Sequence, residues 1–350
     1  MILSSCSSSE KSDILTIPVN VYQDEPILLS EISERIDVIE LETTDNSLIG
    51  GGNSNRVLLY KDYILFFDGF AVDPKILLFD NKGKFIRRIS KRGQGPGEHT
   101  ALYDVVADFE NNRIYIQTLT SKKIICYDFE GNFIKEVSPF EVLYLNFYND
   151  TLSAISIHIE SGDITDYKIN SVLYKINNDL QIIDSLIISS VNTNKWGAIH
   201  NVRQHYITNT DGNVYLFYPI PISLNYLDRY VFRDTLFQIE GKNLIPHLKL
   251  EFTDIKSQPE RRFDCVYRSS RYVFARYAGK IRGLFCYDLK TGTGKNMRDY
   301  YVNDDIHTGE KVTMRPFDSD ANMFYYLHTN MDDSDKDEPN PTLYIGTLKK

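Results

Sequence analysis

Seven histidines, at positions 99, 158, 200, 205, 247, 307 and 328, are the side chains best suited to move protons near neutral pH. None stands in an HxH or HExxH pair and no GxSxG elbow occurs, so neither a zinc site nor a serine nucleophile is written locally. Acid–base chemistry, as in a hydrolase or lyase, would have to be assembled from distant segments. Two clusters concentrate groups able to hold a ligand. In Arg92-Gly93-Gln94-Gly95-Pro96-Gly97-Glu98, three glycines let the backbone approach a ligand while Arg92, Gln94 and Glu98 supply polar contacts. The segment lacks the Lys-Ser/Thr ending of a phosphate-cradling loop, and its glycines would equally serve a tight crossing between structural repeats. The second cluster runs from Trp196, the only tryptophan, through His200 and Arg203 to His205. It reads either as a stacking and hydrogen-bonding platform for a sugar or peptide or as core packing. Asp332, Asp333, Asp335, Asp337 and Glu338 offer hard oxygens without the glycine and closing glutamate of a calcium loop. They read as a solvated acidic loop, and neither a metal nor another cofactor is expected.

The 350 residues carry a net charge of -9, which argues against nucleic acid as a partner because a phosphate backbone demands a basic face. No run of some 18 apolar residues is present to span a membrane as a helix. Leu3-Ser4-Ser5-Cys6 matches the end of a bacterial lipoprotein signal, in which the cysteine becomes the lipidated first residue. Cys6 is therefore the expected lipid anchor, and the chain is expected outside the cytoplasm, in the outer membrane. Residues 1–33 read as this N-terminus and a polar tether rich in serine, and residues 34–350 as one domain. Cys126, Cys265 and Cys286 read as small buried hydrophobes. Cys265 and Cys286 fall two strands apart, about 10 Å, beyond disulfide reach of about 7 Å.

The scaffold for these groups is announced by a repeated phrase. KILLFDNKGKFI at 75–86 and KIICYDFEGNFI at 123–134 are offset by 48 residues, with Asp80 and Asp128, Gly83 and Gly131, and Phe85 and Phe133 in register. Each is two strand-like runs around a tight turn, and 24 tyrosines with 19 phenylalanines favour sheet. Following the register yields units of four antiparallel strands, which are propeller blades. The last unit, at 313–316, 323–329 and 342–348, has only three strands, and the alternating RIDVIELET at 35–43 is left over to supply the fourth. The chain is thus expected to be an all-β, six-bladed β-propeller, its last blade completed by an N-terminal strand so that no sheet edge is left open.

Residues 54–137, with FDNKGKFIRRI, GQGPGE, NNRIYI and KIICYD in order, resemble NHL-type repeats. The whole chain is similar to the six-bladed β-propeller lipoproteins of Gram-negative envelopes. That resemblance implies an anchored extracytoplasmic propeller and no shared chemistry. Turns between first and second and between third and fourth strands are short and share one face. The remaining connections, among them 90–101, 160–170, 189–202 and 220–234, are long and share the other. Long loops on a rigid scaffold usually carry binding. A glycan, peptide or envelope protein is the expected partner of that face.

Overall fold

The computed structural model describes residues 14–50, 56–69, 73–118, 122–138, 142–161, 167–193, 205–219, 233–253, 261–329 and 339–350. Six sheets stand as blades around one axis, and the described residues include a single α-helix, Leu29–Ile32. Blade one is Arg56–Tyr60, Tyr63–Asp68, Lys75–Asp80 and Phe85–Arg88. Blade two is Leu102–Asp108, Arg113–Thr118, Ile124–Tyr127 and Phe133–Val137. Blade three begins at Val142–Tyr148, blade four at Ile207–Thr210 and blade five at Arg262–Arg268. In blade six, Arg315–Phe317, Asp320–His328 and Thr342–Leu348 are joined by Ser33–Glu40, antiparallel to the C-terminal strand. The ring is closed by both ends of the chain, as the leftover strand predicts.

Each blade is covered on both faces by its neighbours, so its inner strands are apolar almost throughout. Leu102–Asp108 is buried at all seven positions. One apolar cluster fills each of the six junctions among the described residues. At the closure, Phe317, Tyr325, Leu343 and Ile345 of blade six interlock with Val57, Ile64, Phe66 and Phe79 of blade one. The repeated turn has a local cause. The Asp80 carboxylate accepts the backbone N–H groups of Lys82 and Lys84, both at 2.9 Å, and Asp128 accepts that of Asn132 at 2.7 Å. Gly83 completes the turn at φ 84°, where a side chain would also collide with the Glu40 carbonyl of the closing strand.

The structure differs from the sequence reading in three places. Leu15–Val19, inside the expected tether, forms a fifth strand of blade four, parallel to Asn243–Phe252. Its period-two pattern turns Ile17 and Val19 inward, fully buried against Leu236, Leu248 and Leu250, and Pro18 is tolerated because the strand is an edge. Structure therefore begins well before residue 34. The closing strand runs Ser33–Glu40 rather than 35–43. The expected loop at 160–170 is largely hairpin, because Thr151–Ser161 and Tyr167–Ile176 keep alternating and pair as far as Ser161 with Tyr167.

If the early strand belongs to the core, Ile17→Ala should cost about 2–5 kcal/mol in urea unfolding. A tether would show no change in midpoint.

Candidate functional site

In a blade, the first strand lies innermost and starts at the face that carries the long connections. Residues near those starts, with Asp318 just past the short first strand of blade six, meet around the axis, away from bulk water, and several carry charge. The Arg56 guanidinium donates to Asp104 Oδ1 at 2.5 Å and to the Val105 carbonyl at 3.0 Å, and pairs through its other terminal nitrogen with Asp318. Asp318 accepts from His205 Nδ1 at 2.5 Å, while Asp104 accepts the backbone N–H groups of Val105 at 2.9 Å and Leu145 at 2.8 Å. This one network ties blades one, two, three, four and six. The Arg56 side chain is 18% exposed and that of Asp318 12%. Burial works against the Arg56 charge, yet Asp104 and Asp318 outweigh it and raise its pKa. Burial likewise opposes the Asp318 carboxylate, but His205 and Arg56 outweigh it and hold its pKa below the ordinary value.

Above the network lies a cavity of about 700 Å³. One wall is aromatic. The Tyr206 hydroxyl donates to that of Tyr144 at 3.1 Å, with Tyr103 tilted against Tyr144 and Tyr218 edge-on to Tyr206. Burial raises the pKa of Tyr144, Tyr206 and Tyr218, so these phenols stay protonated donors. The other wall comes from blades five and six: Arg276, Arg282, Tyr300, Tyr301 and Arg315. Arg276 lies over the Tyr300 ring, 4.3 Å from its centroid, and Arg282 Nε donates to Asp299 at 2.8 Å. Asp299 and Tyr300 adopt left-handed backbone, φ 65° and 67°, which for a tyrosine is an outlier costing roughly 1–3 kcal/mol. Strain held beside a cavity marks a site where presentation of a side chain outweighs local comfort.

Residues 13–347 match the family described as a domain of unknown function, DUF4934. The chain belongs to the DUF4934 family. No curated protein matches it. Among solved structures, this DUF4934 propeller is similar to an exported-protein candidate of Bacteroides fragilis, with a TM-score of 0.66 and 16% identity over 96% of this chain and 100% of that one. Hydrazine synthase of Kuenenia stuttgartiensis aligns with a TM-score of 0.43 and 8% identity over 88% and 75% of the two chains. A streptogramin B lyase aligns with a TM-score of 0.38 and 9% identity over 90% and 98%. At 16% identity, the likeness to the Bacteroides fragilis protein is one of fold.

Of the candidate ligand-binding residues named from sequence, His205 alone among the described ones lines the cavity of this DUF4934 propeller, beside the buried Cys265. Trp196, His200, Arg203, Cys6 and the acidic run at 332–338 lie outside the described residues. Arg92, Gln94 and Glu98 stand apart from the cavity, in a loop whose polar groups are largely turned on itself. Glu98 accepts the Gly95 N–H at 2.9 Å, Glu136 accepts that of Gly97 at 3.0 Å, and Gly97 sits at φ 70°. Beneath it His99 is buried against Ser90 at 2.9 Å, and burial, reinforced by Arg88, pushes its pKa down to about 4. The three glycines thus serve the crossing between blades one and two. Cys126, Cys265 and Cys286 are free and buried, the thiol of Cys265 pushed up to about 12 by that burial. Among the described residues no three His, Cys, Asp or Glu side chains gather with metal-ligand spacing.

Arg56, Asp104 and Arg276 escaped the sequence reading, although a signal for the first two existed. Arg56 and Asp104 are 48 residues apart, the repeat offset itself, so they occupy equivalent places in successive blades with opposite charge.

The pKa directions set two acid-sensitive windows. His99 is held neutral, so stability should fall as pH drops from about 6.5 towards about 4. Asp318 is held ionised, so its share persists above the ordinary carboxylate value, about 3.9, and is lost below it as pH falls through its lowered native pKa. Urea unfolding across this pH range should show both, and His99→Gln should flatten only the upper window. Asp318→Asn should cost roughly 3–5 kcal/mol at neutral pH by leaving Arg56 half-paired.

Proposed function

We propose that this chain is an extracytoplasmic binding module that receives a small glycan or peptide in its axial cavity. The observation that carries the reading is the cavity itself: about 700 Å³, within the range of small-molecule sites, where tyrosine faces meet a few fixed charges. It lies at the long-loop face. Arg282 stands between the second and third strands of blade five, and Asp299, Tyr300 and Tyr301 lead into blade six. Rigid tyrosines suit binding because they offer large contact area with little rotamer entropy to lose. The extracytoplasmic placement and a lipid on Cys6, as the sole membrane attachment, are supported by Leu3-Ser4-Ser5-Cys6 and the serine-rich segment after it. Among the described residues no helix is long and apolar enough to cross a membrane.

A second reading, a hydrolase or lyase, draws on one observation. His205 bonds Asp318 through Nδ1, which fixes its ring in the cavity wall as a candidate for proton transfer to a bound substrate.

Thermal-shift screening against glycan and peptide libraries separates these ideas. A hit whose affinity falls tenfold or more in Tyr301→Ala, with the unfolding midpoint unchanged, supports the cavity. Tyr301 is 36% exposed, so its removal should alter stability by no more than about 0.5 kcal/mol. Arg92→Ala should leave that affinity as it was. Turnover of the hit, lost in His205→Asn, would favour the enzyme reading. Metabolic lipid labelling of the native protein should disappear in Cys6→Ala, and label retained there would rule out that anchor.

A further inference from the structure

Resting on the cavity as a binding site, we infer that its ligand is a short acidic saccharide whose carboxylate is taken by Arg276. Charge points the same way. The whole chain carries -9, yet the described residues lining the cavity include four arginines, 56, 276, 282 and 315, against three aspartates, 104, 299 and 318. Asp104 and Asp318 are committed to Arg56, and Asp299 to Arg282 at 2.8 Å. Arg276 is different. Its Nε is buried with no hydrogen-bond partner among the described residues, and its guanidinium rests on the Tyr300 ring. The neighbouring carboxyl, Asp264, is hydrogen-bonded to Arg262 at 3.0 Å; burial raises its pKa while the charges of Arg262 and Arg276 pull it down, so Arg276 feels this carboxyl without bonding to it through Nε. A buried Nε without an acceptor is a standing deficit, and a carboxylate docking on this guanidinium brings charge-assisted hydrogen bonds to it. The left-handed backbone at Asp299 and Tyr300 places the ring under that guanidinium.

The saccharide body follows from the remaining walls. Tyr103, Tyr144, Tyr206, Tyr267, Tyr301 and Tyr325 line the cavity; of these, Tyr301, 36% exposed, offers an open ring, and the arginines and aspartates around it supply polar edges. A pyranose matches both, its C–H face covering a ring while its hydroxyls meet polar edges, whereas an aliphatic acid would use the rings alone. The volume suits a short oligosaccharide rather than a globular partner.

Calorimetric titration with trigalacturonate and with its neutral methyl ester tests the assignment on the intact protein, Arg276→Gln and Arg276→Lys, with circular dichroism to check folding. The acid should bind the native protein at least tenfold more tightly than the ester. Arg276→Gln should erase that preference without weakening the ester, and Arg276→Lys should keep part of it, which also serves if the glutamine variant fails to fold. Equal binding of acid and ester, or a preference surviving in a folded Arg276→Gln, overturns the inference. So does a short peptide with a free C-terminal carboxylate that binds where neither sugar does. If the sugars fail but another library compound binds and is lost in Tyr301→Ala, the saccharide falls and the cavity reading stands. If nothing binds, both fall.

Discussion

Everything at the axis depends on one guanidinium. Ring closure brings residues in and beside the inner strands together where water is scarce, and a charge there must be paired or neutralised. Arg56 stands between Asp104 and Asp318, two carboxylates from blades on either side of it, and Asp318 in turn fixes His205. Asp104 spends its remaining oxygen on the Leu145 backbone. Five blades are thereby registered against one another by groups that would each be costly alone. Apolar junction clusters hold neighbouring blades together, but they are tolerant of small slips. A hydrogen-bonded charge network is not.

The same confinement makes a site. Where the network ends, the space above it is walled by tyrosines on one side and by arginines with Tyr300 on the other. The backbone at Asp299 and Tyr300, a turn between blades five and six, is left-handed, as it is at Lys61, Asn112, Lys122, Asn149, Asp150, Leu180 and Asp211 among the described residues. Asparagine and aspartate tolerate that conformation well, and tyrosine does not. In the Gly-rich loop, Glu98 and Glu136 accept backbone N–H groups and His99 is buried against Ser90, its Nδ1 without a partner among the described residues.

Legibility in the sequence followed the range of the interaction. The turns of the repeat were readable because Asp80 and Asp128 bond to backbone groups two to four residues ahead. The closing strand was readable because its alternation had no other partner. The strand at Leu15–Val19 was missed because five residues behind a serine-rich segment give too short a pattern, and only Leu248 and Leu250 reveal its inward face. The long hairpin of blade three was missed because polar residues such as Asn170 and Ser171 break the apolar run while still pairing.

By itself, then, the sequence determined the all-β class, the repeat, the number of blades and the means of closure, since each follows from period-two alternation and from turns settled within a few residues. The axial network and the cavity were decided only by tertiary structure. Arg56 and Asp318 are 262 residues apart and Arg56 and Asp104 are 48 apart, so no local pattern pairs them. They become partners because closing the ring removes the water that would otherwise keep each charge separately solvated.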